Sequence, residues 1–505
     1  MPAKILSCAA MLGSALGDMP AACADFSGGW YDNSSWYTPV LFTQDGCTGT
    51  MQGQRGGSYT VRGDTLSAPA FDGGLTATLV RNSTQAQDAM EFSNGAMWER
   101  NHTAPPPAPL AAGSLVYADA DAVAARGAAC LDGTRPAFYL WPGAETTKFV
   151  LFLEGGGWCF TEADCLKRSK GGLGSSAGYR LTMADAGGIM SANATQNPHF
   201  SNWTKAFLKY CDGSSMSGAR VGASNASGAP LHYRGRANLD AVLDTLAQQG
   251  SGGMGAATEE VILSGGSAGG LAAILHLDHV ASRMPAGARV VGLPDAGYFA
   301  DLPNTAGAHV YRGLFQGADP VWNATAGGGT HAACLASTPA AQQWQCLMAQ
   351  YVVAKTATPL FVMNAAIDVY QVQNTLQVGC VPKTCSAEQL AQMETYRTDF
   401  VTSALAPALA NPANGAWVDS CIMHEQNVYY CSGGKPGRNA YNCQGWQEEQ
   451  VNGLTPQQAF LRWYMGAGDH FTIDSASWPS NPTCSWHFSG SRRRGGGSSS
   501  LEQPP

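Results

Sequence analysis

The residues in this chain best suited to chemistry are one serine and the glycines around it. Val261-Ile262-Leu263 is a short apolar run, and Ser264-Gly265-Gly266-Ser267-Ala268-Gly269-Gly270 follows it. Gly265, Ser267 and Gly269 form a Gly-x-Ser-x-Gly pattern, and Leu271, Ile274, Leu275 and Leu277 recur beyond it at helical spacing. Strand, sharp turn, helix is the context that a nucleophile elbow requires. A serine on so tight a turn needs glycine neighbours, and the next helix aims its unpaired N–H groups at the serine oxygen. In a chain with 61 glycines the pattern alone is weak, and its setting carries the argument. The competing reading is a Gly-rich turn that opens an ordinary core helix.

A serine needs a base to take its proton and an acid to hold that base. In a hydrolase sheet the chain order is serine, then acid, then histidine. Asp368 closely follows the apolar run Phe361-Val362-Met363, where such an acid belongs. Beyond it lie only three histidines, His424, His470 and His487. His424 comes shortly after Ala416-Trp417-Val418, a candidate last strand, and ranks first. His470 has Asp469 beside it but no strand before it, and His487 is near the tail. Asp419 and Asp295 are fallback acids.

Gly155-Gly156-Gly157-Trp158 follows the strand-like run Lys148-Phe149-Val150-Leu151-Phe152-Leu153. Glycines there let backbone N–H groups approach a developing oxyanion. Ala268, directly after the serine, would supply the other half of that hole. The alternative is a flexible loop.

Several motifs together resemble the pectin acetylesterase/Notum family. They are Leu153-Glu154-Gly155-Gly156-Gly157-Trp158-Cys159, Tyr210-Cys211-Asp212-Gly213, the elbow, Asp295-Ala296-Gly297-Tyr298-Phe299, Asn364-Ala365-Ala366-Ile367-Asp368, Ser420-Cys421-Ile422-Met423-His424-Glu425-Gln426 and Asn481-Pro482-Thr483-Cys484. The resemblance spans about Cys130 to Cys484. It implies an α/β-hydrolase-like fold and a serine carboxylesterase with nucleophile Ser267, acid Asp368 and base His424. It also implies oxyanion donors at Gly157, Trp158 and Ala268. Two positions depart from the plant pattern. Gly266 and Glu425 stand where plant members tend to carry cysteine, which leaves the triad intact and changes the expected disulfide set.

The elements that must position these residues read as α/β. Arg289-Val290-Val291-Gly292-Leu293 and Pro359-Leu360-Phe361-Val362-Met363 are further strands, and Leu239, Val242, Leu243 and Leu246 share one helical face. Strands alternating with helices predict a mostly parallel sheet covered on both sides. Residues 25–102 differ: short β-forming runs between turn residues predict a small all-β domain of unstated role. A Pro-rich linker (103–112) separates it from the α/β domain (113–489), and a Ser/Gly/Arg tail (490–505) is expected to be disordered.

Composition narrows the classes. The net charge of -8 disfavours nucleic acid, and no apolar run reaches membrane-spanning length. Residues 1–24 read as a short secretory signal peptide. The chain has 15 cysteines and glycosylation sequons at Asn33, Asn82, Asn101, Asn193, Asn202, Asn225 and Asn323, which fit export to the cell exterior or cell wall. Cys159 with Cys165 and Cys380 with Cys385 are within reach of local bridges, and Cys130 with Cys211 and Cys334 with Cys346 are longer candidates. No Cys-x-x-Cys pair suggests zinc, and His276, Asp278 and His279 read as a polar helix face rather than a metal site. Trp158, Trp203 and Tyr298 fit a sugar-binding cleft or core packing equally well.

The leading expectation is a secreted serine esterase that deacetylates a polysaccharide such as pectin, with no cofactor and no metal. One rival is a Notum-like deacylase acting on a fatty-acylated protein. The other is a carbohydrate-binding protein on a dead hydrolase scaffold. Acyl length, polymer and oligomeric state are not legible at this level.

Overall fold

The computed structural model describes eight N-terminal strands and residues 112–225, 228–248, 253–380, 384–427, 445–477 and 481–484. The chain divides into two units: Met1–Pro109 with Ser432–Arg438, and the remainder.

In the first unit the strands are Gly28–Asp32 (β1), Ser35–Asp45 (β2), Thr48–Gln52 (β3), Gly57–Arg62 (β4), Thr65–Ser67 (β5), Thr76–Arg81 (β6), Asp88–Phe92 (β7) and Met97–Arg100 (β8). Each pairs antiparallel with the next, and β1 pairs with β8, so the sheet closes into a barrel. Closure removes the exposed edges that a short antiparallel sheet would otherwise present.

The second unit is built on a ten-stranded sheet. Its strands are Gly113–Tyr117 (β9), Ala137–Trp141 (β10), Glu145–Leu153 (β11), Thr182–Met183 (β12), Trp203–Leu208 (β13), Glu260–Gly266 (β14), Arg289–Asp295 (β15), Phe361–Ala365 (β16), Gly415–Asp419 (β17) and Phe471–Ile473 (β18). The order is β12-β9-β10-β13-β11-β14-β15-β16-β17-β18. From β13 to β18 neighbouring strands run parallel, while β12, β9 and β10 add an antiparallel edge. This is the mostly parallel α/β sheet expected from the alternating pattern.

The central strands are apolar throughout because both faces are covered. In β11, Phe149, Leu151 and Leu153 face one core, while Val150 and Phe152 face the other. The first core packs against Gly235–Gln248 (α3, after α1 at Ala120–Arg126 and α2 at Glu162–Arg168) and Ala268–Ser282 (α4). The second packs against the helix Pro456–Tyr464. In α3 the predicted stripe of Leu239, Val242, Leu243 and Leu246 is buried. α4 is buried nearly all round as far as Leu277, which marks a helix inside the core rather than on it.

Five disulfides join described residues: Cys130–Cys211, Cys159–Cys165, Cys334–Cys346, Cys380–Cys385 and Cys421–Cys484. The last was not among the pairs expected from the sequence, and its partners are 63 residues apart. Trp203 and Tyr298 are core residues. Trp203 packs on Phe200 in the second core, and the buried Tyr298 hydroxyl donates to Ala404 O at 2.7 Å.

Candidate active site

Strand β14 ends at Gly266 and α4 starts at Ala268, so Ser267 alone makes the turn. Its φ of 54° and ψ of −124° lie in a region that side chains rarely adopt, which is the strain an elbow imposes. Gly269 shows why the pattern needs glycine: a Cβ there would sit 2.0 Å from Leu153 O. The Ser267 amide donates to Asp295 O at 2.9 Å, which fastens the turn to the end of β15.

Asp368 lies just past β16 and caps the short helix Val369–Gln371, with Oδ1 accepting from Gln371 N at 3.0 Å. Its Oδ2 faces His424 Nδ1 at 2.7 Å. His424 follows β17, the neighbouring parallel strand, so acid and histidine emerge from adjacent strand ends. The imidazole stacks on Tyr370, with centroids 5.5 Å apart. Asp295 holds the histidine loop from below, its Oδ2 accepting from Gln426 N at 2.6 Å and Asn427 N at 2.7 Å. One residue therefore binds the serine turn through its main chain and the histidine loop through its side chain. This role had no sequence signal beyond a motif match.

The glycine loop after β11 packs against the serine turn, where a Cβ on Gly155 would lie 2.4 Å from Gly266 O. Gly157 has φ +63°, which glycine adopts freely. Among the described residues no acceptor takes the amide hydrogens of Gly157 and Trp158. Ala268, as the first residue of α4, has no intrahelical acceptor for its own. Arg168 steadies the loop by donating to Gly156 O at 2.9 Å, and Glu154 is buried in an ion pair with Lys209. Beside the loop, Trp158 sits in a ring cluster with Phe299 (4.7 Å), Phe315 (5.4 Å) and Tyr311 (6.0 Å). The last two come from Val310–Trp322 (α5). Their individual positions were not legible in the sequence.

The alternative residues lie elsewhere. His470 is half-buried and pairs with Pro412 O, and His487 lies outside the described residues. Asp419 takes Gln426 Nε2 and the Cys421 amide, so it does not serve His424. His276, Asp278 and His279 point to different partners: Ser215 O, His331 and Asp240. Among the described residues Asp419, Cys421 and Glu449 form the one cluster with metal-ligand spacing, but Cys421 is disulfide-bonded. Of the sequon asparagines, Asn202 and Asn225 are exposed and Asn193 and Asn323 partly so; Asn33, Asn82 and Asn101 lie outside the described residues.

The pectinacetylesterase family model matches residues 115–485. The chain belongs to this family. It is 33% identical over 380 residues to pectin acetylesterase 11 of Arabidopsis thaliana, covering 72% of this chain and 91% of the relative. It is 24% identical over 396 residues to the human palmitoleoyl-protein carboxylesterase NOTUM, covering 70% of each. A solved structure of the Wnt deacylase Notum from Drosophila matches with a TM-score of 0.61 at 22% identity, covering 74% of this chain and all of that one. That likeness places the fold among the α/β-hydrolase-like proteins. The protein is a carboxylic ester hydrolase of the pectinacetylesterase family.

Within this pectinacetylesterase the two departures from the plant pattern meet in space. A Cβ on Gly266 would lie 2.4 Å from Glu425 Oε1, so the glutamate occupies the room that a larger residue 266 would need. Glu425 also acts on its neighbour. Burial pulls the His424 pKa down, but the charge and hydrogen bond of Asp368, with Glu425 and Asp295, outweigh it and raise the value from 6.5 to about 9. A histidine raised in the folded state stabilises the fold fully below its unfolded pKa, and that contribution is lost as pH rises through about 9. A base must be neutral to accept a proton, so activity has the opposite sign. In a pH–rate series, kcat/KM is expected to climb from pH 6.5 with a midpoint of about 9. Glu425→Gln is expected to move that midpoint down; an unmoved or raised midpoint would show that the glutamate does not act on the imidazole.

Proposed function

We propose that this protein is a secreted serine carboxylesterase that removes O-acetyl groups from a polysaccharide such as pectin. The observations that carry this reading are the 2.7 Å contact of Asp368 with His424 Nδ1 and the strained elbow conformation of Ser267. With Nδ1 donating to the carboxylate, the Nε2 lone pair is free to take the Ser267 proton. Ser267 Oγ then attacks the ester carbonyl, and the amides of Gly157, Trp158 and Ala268 hold the oxyanion. His424 returns the proton to the leaving sugar hydroxyl. It next takes a proton from water, which attacks the acyl-enzyme, and gives that proton to Ser267 Oγ as the acyl–oxygen bond breaks and acetate leaves. Asp368 stabilises the imidazolium formed in each half. The five disulfides support an oxidising, extracellular location, and no described helix is long and apolar enough to cross a membrane.

The ring cluster favours acetyl over a fatty acyl group. Phe299, Tyr311 and Phe315 are fully buried against Trp158, so a long chain entering on that side would have to displace them. The wild-type enzyme is expected to turn over acetyl aryl esters faster than octanoyl ones. Phe315→Ala is expected to improve octanoyl over acetyl kcat/KM by roughly 10-fold or more, since each buried methylene is worth about 0.8 kcal/mol. An octanoyl preference in the wild type would favour the Notum-like reading. A fluorophosphonate probe tests the chemistry itself: mass spectrometry should find the adduct on Ser267, and an unreactive protein would point to a dead scaffold.

A further inference from the structure

We propose that Ser215 is the positioning residue that sets the spacing between the two halves of the oxyanion hole. The inference rests on the serine-esterase reading above. Ser215 is buried and has φ 52°, a left-handed conformation that glycine would adopt with less strain. All of its polar groups are used. Its Oγ accepts from the Trp158 indole Nε1 at 2.7 Å and donates to Ala268 O at 2.7 Å. Its amide donates to Tyr210 Oη at 2.9 Å, and that hydroxyl donates to Gly157 O at 2.9 Å. Its carbonyl accepts from His276 Nε2 at 3.1 Å. A carbonyl can only accept, so this contact fixes the proton on Nε2. Burial holds the His276 pKa well below 6.5, so the ring is neutral.

Three of these links end on the residues proposed to bind the oxyanion: Gly157, Trp158 and Ala268. The fourth reaches α4 two turns further along. Gly157 and Trp158 come from the loop after β11, and Ala268 comes from the helix after β14. Among the described residues no disulfide joins them. A small side chain that accepts on one side and donates on the other must be a hydroxyl. That requirement explains a serine at a backbone position suited to glycine. An oxyanion hole acts on the transition state, so an error in its width lowers kcat and leaves KM nearly alone.

Ser215→Gly removes the hydroxyl, keeps both main-chain bonds and relieves the backbone. Its Tm is expected to fall only modestly, because the relieved backbone partly offsets the two lost hydrogen bonds. Its kcat on an acetyl aryl ester is expected to fall by roughly 10- to 100-fold, somewhat less than for loss of a direct donor, with KM changed less than about threefold. Trp158→Phe, which deletes the indole donor, should not add its full effect in the double variant, because both changes break one link. A wild-type kcat in Ser215→Gly would overturn the assignment. So would a loss of kcat that disappears on cooling along with a lowered Tm, or full additivity with Trp158→Phe. Ser215→Ala keeps the Cβ and serves as a second variant if the glycine form does not fold. Ser267→Ala separates the two levels. Retained turnover there sinks the esterase mechanism itself, whereas a dead Ser267→Ala beside a normal Ser215→Gly sinks only the role of Ser215.

Discussion

Replacing His424 with alanine is expected to lower kcat on a short-chain aryl ester by about a million-fold, with little change in KM. The size follows from the role. Without a base the serine hydroxyl stays protonated at neutral pH, and the oxyanion donors have no attacking group to serve. Ser267→Ala should match it, and the double variant should be no worse, because the two groups act as one unit. Single-turnover kinetics with an active-site titrant gives the measurement. A loss of less than about 10-fold would leave His424 outside the proton transfer.

The second large effect is expected from Asp368→Asn, which should lower kcat by about 10,000-fold. An asparagine fits the site and can still accept from Gln371 N, so the short helix cap survives. Its amide can instead donate to His424 Nδ1. The imidazole must then carry its proton on Nε2, which removes the lone pair that Ser267 needs. Loss of the carboxylate charge also removes a main support of the raised His424 pKa, so the residual activity should rise at a lower pH than in the wild type. An Asp368→Asn enzyme within about 10-fold of wild type would mean that another group orients the histidine.

The sheet and the elbow were legible because local patterns specify them. Apolar runs of strand length preceded glycines or acids, and each became a strand whose end leads to a candidate site residue: β11, β14, β15, β16 and β17. His424 could be ranked above His470 from Trp417 and its neighbours alone, and the structure sets His424 against Asp368. What escaped was most of the contacts made between distant segments, apart from the Cys130–Cys211 bridge and the pairing of Asp368 with His424. Ser215 looks like any serine in a Gly/Ser-rich stretch; its value comes from Trp158 and Ala268, each more than fifty positions away. Trp203 and Tyr298 were ambiguous because an aromatic residue reads the same in a cleft and in a core. The Cys421–Cys484 bridge was hidden for a similar reason, since disulfide pairing is set by tertiary proximity. Glu425 was visible only as a departure from a resemblance, and its contact with Gly266 gives that departure a spatial meaning.

Asp295 grips the serine turn by its carbonyl and the histidine loop by its carboxylate. The proposed proton donor and the proposed acceptor thus share a common hinge pin. Any displacement of that one aspartate would therefore be felt by both loops at once.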